Sequence, residues 1–266
     1  MRRTLRLLPA AVALAAGTVL PPALHAAENQ TVHTFSHTQS ATTRYEYLLA
    51  LPTGYAASGE KRWPLLLFLH GSGERGDDVW LVAKHGPPKL LRGNSSDPAA
   101  KLLAENFIVV SPQCPKGRWW DTATVLALLD DVGARHRVDA RRVYLTGLSM
   151  GGYGAWDVGL TQPERFAAIV PICGGGSSRP VLSAETARRK ALRSLGVWAF
   201  HGAKDESVPL AESQRIVDFL KKVGVEDIQL TVYPEAKHDS WTATYANPEL
   251  YTWLLRHERP AATAAR

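Results

Sequence analysis

The stretch VYLTGLSMGG, residues 143–152, decides how the rest of the chain is interpreted. Its first four residues are apolar or β-branched and predict a buried strand, while the small residues that follow predict a sharp turn into a helix. Within this turn, Gly147, Ser149 and Gly151 form the pattern G-x-S-x-G. A serine at such a strand–turn–helix corner presents its hydroxyl at the edge of a sheet, which is the geometry of an exposed nucleophile.

Apolar runs on both sides of this stretch predict the other strands of a parallel sheet. None of them alternates cleanly with polar residues, as expected of strands that are buried on both faces. The predicted strands are 63–70, 107–110, 143–146, 166–172, 197–200 and 228–233, and the predicted helices are 78–91, 121–135, 150–160, 183–195, 210–223 and 248–258. This alternation predicts an α/β protein with a mostly parallel, doubly wound sheet. Residues 31–36 and 43–51 alternate more and predict an antiparallel edge pair.

The N-terminal segment, residues 1–27, has the layout of a secretory signal peptide: a basic start, an apolar stretch and small residues near its end. Its apolar stretch is short and contains Pro9, which argues against a permanent membrane anchor. We therefore expect a signal peptide over 1–27, one α/β catalytic domain over 28–258 and a flexible tail over 259–266. The expected location is periplasmic or extracellular, in a bacterium, and the sequence leaves open whether export uses the general or the twin-arginine route.

The composition excludes several classes of protein. With 266 residues, 21% charged and 45% hydrophobic, the chain has ordinary globular usage. Its net charge of +6 falls to +3 without the three arginines of the predicted signal, which is too weak to indicate a nucleic-acid partner. Two cysteines are too few for a disulfide scaffold. No metal-ligand spacing and no dinucleotide-binding pattern occurs, so neither a metal nor a cofactor is predicted, and the oligomeric state is left open.

A serine nucleophile needs a base and an orienting acid, which we expect downstream in the order acid, then histidine. Asp205 follows the predicted strand 197–200, and His238 follows the predicted strand 228–233. Because the carboxyl ends of parallel strands lie at one edge of the sheet, both side chains are predicted near Ser149. His238 would take the serine proton and Asp205 would orient its ring. Glu206 is an alternative acid, whereas Asp239 is too close to His238 in sequence to reach its ring.

The turn HGSGE, residues 70–74, follows a buried strand and predicts part of an oxyanion hole. Its donor would be the N–H of Ser72 or of Gly71, and the N–H of Met150 would be the second donor. Gly71 would also border the substrate. Trp119 and Trp120 are predicted to line the substrate pocket, with packing in the core as the alternative.

Several motifs together resemble a known family. They are residues 70–76, 85–88, 111–115, 142–156, 171–176, 201–209 and 238–241. These stretches are similar to the α/β-hydrolase carboxylesterases of the phospholipase/carboxylesterase or "predicted peptidase" group, relatives of feruloyl esterases and polyhydroxybutyrate depolymerases. The resemblance covers 62–258 and implies an α/β-hydrolase fold and ester hydrolysis by Ser149, Asp205 and His238.

In the usual strand order of that fold, two strands separate those that precede Cys114 and Cys173. The resulting distance of about 14 Å exceeds the roughly 7 Å that a disulfide can span. We therefore expect free thiols, although export would permit a bond.

The leading hypothesis is a secreted serine carboxylesterase that hydrolyses short-acyl or aryl esters, small or polymer-linked, through an acyl-serine intermediate. A serine peptidase of the prolyl-oligopeptidase-like type would use the same three residues, and a catalytically silent binding protein is a further alternative. Residues 174–195, where larger relatives of the fold often insert a cap, are too few to build one. We therefore expect no large cap, an open pocket and a preference for short acyl chains.

Overall fold

The computed structural model describes residues 30–38, 42–55, 59–93 and 96–260. The predicted signal peptide, 1–27, and residues 261–266 of the predicted tail lie outside these ranges. The first tail residue, Arg259, is attached to the domain, because its N–H donates to the carbonyl oxygen of Arg141 at 2.8 Å. Within the described ranges, every helix is too short or too polar to cross a bilayer.

Eight strands form one mixed sheet in the order β1-β2-β4-β3-β5-β6-β7-β8. They are β1 (Gln30–Thr38), β2 (Thr42–Ala50), β3 (Trp63–Leu69), β4 (Ile108–Pro112), β5 (Val138–Leu148), β6 (Ala168–Ile172), β7 (Gly196–Gly202) and β8 (Ile228–Tyr233). The pairs β1–β2 and β2–β4 are antiparallel, and all other neighbours are parallel. This confirms the predicted α/β class, the mostly parallel sheet and the antiparallel edge pair.

The central strands are buried on both faces because their side chains alternate between two apolar layers. Along β3, Leu65, Leu67 and Leu69 belong to one core cluster, whereas Leu66 and Phe68 belong to the other. The helices that cover the sheet are α1 (Gly86–Arg92), α2 (Pro98–Asn106), α3 (Thr122–Arg135), α4 (Met150–Thr161), α5 (Arg179–Leu182), α6 (Thr186–Arg193), α7 (Leu210–Lys222), α8 (Trp241–Ala246) and α9 (Pro248–Arg256). Helices α3, α4, α6 and α7 contribute to the first cluster, and α1, α2, α8 and α9 to the second.

One of the predicted helices is divided in two, and another is shorter than predicted. The segment 78–91 forms a 3₁₀ helix, Val79–Lys84, and then α1, with a break at Gly86, whose φ is +66°. A Cβ at Gly86 would lie 2.6 Å from the ring of Phe68, so both the positive φ and the packing of Phe68 require glycine at this break. The segment 183–195 was predicted as one helix and holds the single, shorter helix α6.

Three helices were not predicted: α2, α5 and α8. For α2 a start signal was present in the sequence: Asp97 accepts hydrogen bonds from the N–H groups of Ala99 and Ala100, and Pro98 occupies the first turn. Helix α8 begins three residues after His238 and bears on the site described next.

Candidate active site

Ser149 occupies a sharp turn between β5 and α4. Its backbone has φ 53° and ψ −116°, a conformation that residues with a side chain rarely adopt. The flanking glycines allow this turn to lie against β3, because a Cβ on Gly151 would lie 1.9 Å from the carbonyl oxygen of Leu69. A Cβ on Gly147 would lie 2.2 Å from the carbonyl oxygen of Gly151. The turn therefore has the close backbone approach that G-x-S-x-G predicts.

The structure brings Ser149, His238 and Asp205 into one hydrogen-bonded chain. The Oγ of Ser149 lies 2.9 Å from Nε2 of His238, and Nδ1 of His238 lies 2.7 Å from Oδ2 of Asp205. A carboxylate only accepts hydrogen bonds, so Nδ1 carries the proton and Nε2 is free to accept the serine O–H. This is the tautomer that a general base opposite a serine requires.

The loop after β7 holds Asp205 in its charged form. Its side chain is fully buried, and its Oδ1 accepts hydrogen bonds from the N–H groups of Ser207 and Val208, both at 2.9 Å. Burial opposes the charge, but the hydrogen bonds from His238 and from these two amides outweigh it and hold the pKa of Asp205 below its usual value. Asp205 is therefore ionised at neutral pH.

The two other acids near His238 point elsewhere. Glu206, the residue after Asp205, has an exposed side chain. Asp239 accepts hydrogen bonds from the N–H and the hydroxyl of Thr242, at 3.0 and 2.9 Å, at the start of α8. The geometry thus favours Asp205 over Glu206 as the partner of His238.

His201 also supports the loop, and sequence reasoning did not assign it a role. Its ring is fully buried, with Nε2 2.9 Å from the carbonyl oxygen of Val208 and 3.3 Å from Oδ2 of Asp205. Its Nδ1 lies 2.8 Å from the hydroxyl of Ser213 on α7. The only sequence signal was its place at the end of the predicted strand before Asp205.

The predicted oxyanion donors flank Ser149. A Cβ on Gly71 would lie 3.6 Å from the Cβ of Ser149, and Ser72 follows in a 3₁₀ turn, Ser72–Glu74. Met150 is the first residue of α4, so its N–H has no acceptor within the helix. The Gly71 turn and the first residue of α4 therefore both lie next to Ser149.

His70 and Trp120 fix the turn that carries Gly71. The ring of His70 has Nδ1 2.5 Å from the carbonyl oxygen of Gly71, and its Nε2 accepts the N–H of Cys114 at 2.9 Å. Burial lowers the pKa of His70 to about 4, so the ring is neutral at pH 7, as the second bond requires. The indole N–H of Trp120 donates to the carbonyl oxygen of His70 at 3.1 Å.

The two predicted pocket tryptophans have different surroundings, although both line a cleft of 490 Å³ next to Met150. Trp119 is 63% exposed and its ring stands perpendicular to that of Tyr153, with centroids 6.3 Å apart. Trp120 is only 8% exposed, so packing accounts for most of its surface. The cleft also has a polar side, formed by Asp157, Ser177, Ser178, Glu212 and Arg215.

Both cysteines are free and buried, and β3 and β5 separate the strands that precede them. The expectation of unpaired thiols is confirmed. In the described part of the chain, one set of side chains has donor atoms close enough for a metal: Cys173, Asp205 and His238, within 4.8 Å of one another. Burial raises the pKa of the Cys173 thiol to about 12, and the other two are bonded to each other, so the set presents no thiolate at neutral pH.

Comparisons with known proteins agree with this fold. The phospholipase/carboxylesterase family matches residues 121–247, a range that contains Ser149, Asp205 and His238. A bifunctional acetylxylan esterase/xylanase of Neocallimastix patriciarum is 28% identical over 182 residues, which are 65% of this chain and 25% of that protein. A probable feruloyl esterase C of Aspergillus terreus is 27% identical over 62% of this chain and 56% of its own length. The chain thus spans a quarter and about half of the length of these two relatives.

Solved structures give the same result. A thermostable esterase superposes with a TM-score of 0.72 and 27% identity, over 88% of this chain and 64% of that one. A ferulic acid esterase, at 21% identity, shares the fold with a TM-score of 0.64 over 86% of this chain and 99% of its own. The sheet order, the family match over residues 121–247 and these relatives confirm the resemblance found in the sequence: the chain has an α/β-hydrolase fold and is similar to the phospholipase/carboxylesterase family.

Proposed function

We propose that this protein is a serine carboxylesterase that hydrolyses short-acyl or aryl esters through an acyl-serine intermediate. The observation that carries the proposal is the hydrogen-bonded chain from Ser149 through His238 to the ionised Asp205, beside an open cleft. Such a chain activates a hydroxyl that would otherwise be a weak nucleophile.

In the first half of the proposed reaction, Oγ of Ser149 attacks the ester carbonyl carbon while Nε2 of His238 takes the hydroxyl proton. The carbonyl oxygen gains negative charge and is stabilised by the N–H of Met150 and by an amide of the Gly71–Ser72 turn. Asp205 stabilises the imidazolium that forms. His238 then gives its proton to the departing alcohol, which leaves an acyl-serine.

In the second half, water attacks the acyl carbon and His238 takes one of its protons. The tetrahedral species collapses, the bond to Oγ breaks and His238 returns the proton to Ser149. The carboxylic acid is released and the enzyme is regenerated.

The cleft supports a small acyl group or an aromatic or sugar-linked ester. Trp119 and Tyr153 offer aromatic surface, and the opposite side carries charged and hydroxyl groups. Apart from Met150 and the aromatic rings, no large apolar side chain lines the cleft, which leaves little surface for a long acyl chain. The relatives named acetylxylan esterase and feruloyl esterase point to the same kinds of ester. We also propose that residues 1–27 direct export and that the substrate, small or polymer-linked, is met in the periplasm or outside the cell.

The proposal is tested by the rates on p-nitrophenyl esters of increasing chain length, methyl ferulate, acetylated xylan and a proline-containing peptide anilide. We expect the acetyl or feruloyl esters to be hydrolysed fastest and the anilide slowly. A fluorophosphonate probe should label Ser149, as located by mass spectrometry of the digest. Faster hydrolysis of the anilide would instead indicate a peptidase, and labelling of a different serine would contradict the assignment.

A further inference from the structure

Trp241, the first residue of α8, stands beside the imidazole of His238. The two ring centroids are 5.2 Å apart and the planes are perpendicular, at 89°. Perpendicular aromatic pairs at this distance are favourable, and they resist rotation of either ring. Because Ser149 and Asp205 engage the two nitrogens of His238, Trp241 supplies a third contact that fixes the plane of the ring.

His85 holds Trp241 in this position. The indole N–H of Trp241 donates to Nδ1 of His85 at 3.3 Å, and the two rings are 5.5 Å apart at an angle of 65°. His85 lies between the 3₁₀ helix Val79–Lys84 and α1, so this bond joins α1 to α8 on the side of the sheet away from α4.

Glu74 continues the chain of contacts to the other side of Ser149. Its Oε1 lies 3.8 Å from Nε2 of His85, and its side chain is only 6% exposed. Its Oε2 would lie 3.2 Å from a Cβ on Gly71, so Glu74 packs directly beneath the turn that carries the proposed oxyanion donor. Glu74, His85 and Trp241, here called the brace, therefore connect that turn to the ring of His238.

We propose that Trp241 and His85 are positioning residues for His238 and that the brace holds only while His85 is neutral. This inference rests on the proposed function. The indole N–H needs a lone pair on Nδ1 of His85, and protonation of that nitrogen removes the acceptor. The imidazolium would keep its attraction to Glu74 but would release Trp241, and His238 would lose one of its three contacts.

The groups around His85 determine the pH at which its ring is protonated and the brace is lost. Burial of the ring is the largest influence and disfavours the charged form, and Lys84 and Lys89 act in the same direction. Glu74 and Asp239 favour the charged form but do not outweigh the others, so the pKa of His85 lies below its ordinary value. The brace is therefore intact at neutral pH and is lost on the acid side.

The test separates the indole N–H from the ring that carries it. Trp241→Phe keeps an aromatic ring beside His238 and removes the N–H, and His85→Leu removes the acceptor. With p-nitrophenyl acetate, we expect each to lower kcat about tenfold, the equivalent of one lost hydrogen bond, with KM little changed. His85→Asn places a non-titrating oxygen near the position of Nδ1 and should recover most of the kcat lost in His85→Leu.

Trp198→Phe is the matched control. Trp198 is 8% exposed and its indole N–H donates to the hydroxyl of Thr231 at 2.9 Å, so the same change removes an equivalent bond elsewhere in the sheet. We expect it to lower the melting temperature without changing kcat. Equal kcat values for the folded Trp241→Phe and Trp198→Phe variants, or an effect confined to KM, would overturn the positioning role.

The pH profile tests the protonation step. Between about pH 5 and 8, kcat/KM of the wild type should show an extra loss on the acid side that is absent in His85→Asn. Identical acid limbs in the two proteins would overturn the dependence on His85.

A substrate-free measurement distinguishes failure of the brace from failure of the proposed function. The proton between His238 Nδ1 and Asp205 should give a downfield NMR signal that broadens in Trp241→Phe and persists in Trp198→Phe. An unchanged signal in Trp241→Phe overturns the brace whatever the substrate is. A wild type without ester hydrolysis overturns the proposed function alone.

Discussion

The turns after β5 and β6 are neighbours that each contain a residue with positive φ, but the surroundings of these two residues differ. Ser149 and Cys173 are the two non-glycine residues with positive φ among those the structure describes, at 53° and 41°. The turns are joined, because the N–H of Ser149 donates to the carbonyl oxygen of Ile172 at 3.0 Å. Ser149 is half-buried and meets Nε2 of His238, whereas Cys173 is fully buried.

The difference shows that backbone strain at a strand end does not by itself make a nucleophile. Each conformation costs about 1–3 kcal/mol, which the surrounding packing must offset. A thiol is intrinsically the better nucleophile, yet burial raises the pKa of Cys173 to about 12 and keeps it protonated. Ser149 has a base within hydrogen-bond distance and is only partly buried. The hydrogen-bonded base and the partial exposure of Ser149, rather than the conformation of the turn, distinguish it from Cys173.

The largest expected effect on activity is the difference between replacing Ser149 and replacing Cys173 by alanine. Ser149→Ala should lower kcat for p-nitrophenyl acetate by a factor on the order of 10⁶. Cys173→Ala should retain most of the activity, because the thiol neither reaches the cleft nor ionises. Steady-state rates, with fluorophosphonate labelling as a second readout, measure both. A Cys173→Ala variant as damaged as Ser149→Ala would give the buried thiol a chemical role.

The second largest effect is expected from removing the negative charge of Asp205, which is hydrogen-bonded to His238. Asp205→Asn should lower kcat by roughly 10⁴ at neutral pH, because an amide neither stabilises the imidazolium nor enforces the required tautomer of His238. Glu206→Gln is the matched control, since Glu206 is the next residue and is exposed. It should behave as the wild type. The opposite ranking of the two variants would assign the acid to Glu206.

The contact between the two turns is expected to matter for stability. A Cβ on Gly152 would lie 2.3 Å from the carbonyl oxygen of Ile172 and 3.1 Å from the nitrogen of Gly174. Gly152→Ala should therefore lower the free energy of unfolding by about 1–3 kcal/mol, measured by urea denaturation. Gly133→Ala is the control: this glycine is exposed in α3 with open space around it, and alanine should stabilise the helix by up to about 1 kcal/mol.

A Gly152→Ala variant that is as stable as Gly133→Ala would show that the two turns can separate without cost.

The smallest effect is the reactivity of the thiols in the native protein. Burial raises the pKa of Cys114 to about 11 and that of Cys173 to about 12, so both are protonated and inaccessible. Ellman's reagent should react with neither until urea unfolds the chain. Rapid reaction of one thiol in the native state would mean that its turn opens. A mass change on reduction would reveal a disulfide instead.

The parallel sheet made much of the fold and the contacts of Ser149 predictable. The order of Ser149, Asp205 and His238 along the chain was sufficient to predict that they lie together. Each residue follows a parallel strand, and the carboxyl ends of these strands lie at the same edge of the sheet. The comparisons confirm the resemblance to the phospholipase/carboxylesterase family, which matches residues 121–247. The catalytic roles of these residues remain predictions that the variants above test.

Contacts between distant parts of the chain were not predictable. The bond between His85 and Trp241 joins residues 156 positions apart, and no periodicity reports such a pair. Trp119 and Trp120 are neighbouring tryptophans, yet Trp119 is exposed and Trp120 donates its N–H to the carbonyl oxygen of His70. Gly86 lies at the break in the segment 78–91. A side chain does not fit there, because the ring of Phe68 occupies the space that a Cβ would need. In each case the deciding partner lies on another element.

The open cleft beside Met150 has a kinetic consequence. Among the described residues between β6 and β7, the only helices are the short α5 and α6. This segment therefore forms no large lid that would have to open before the product is released. Where a lid must open, its motion often sets the turnover rate and the rate falls with solvent viscosity. In the proposed mechanism, proton transfer at His238 is then expected to limit turnover. Turnover should then slow in heavy water while remaining nearly insensitive to added sucrose.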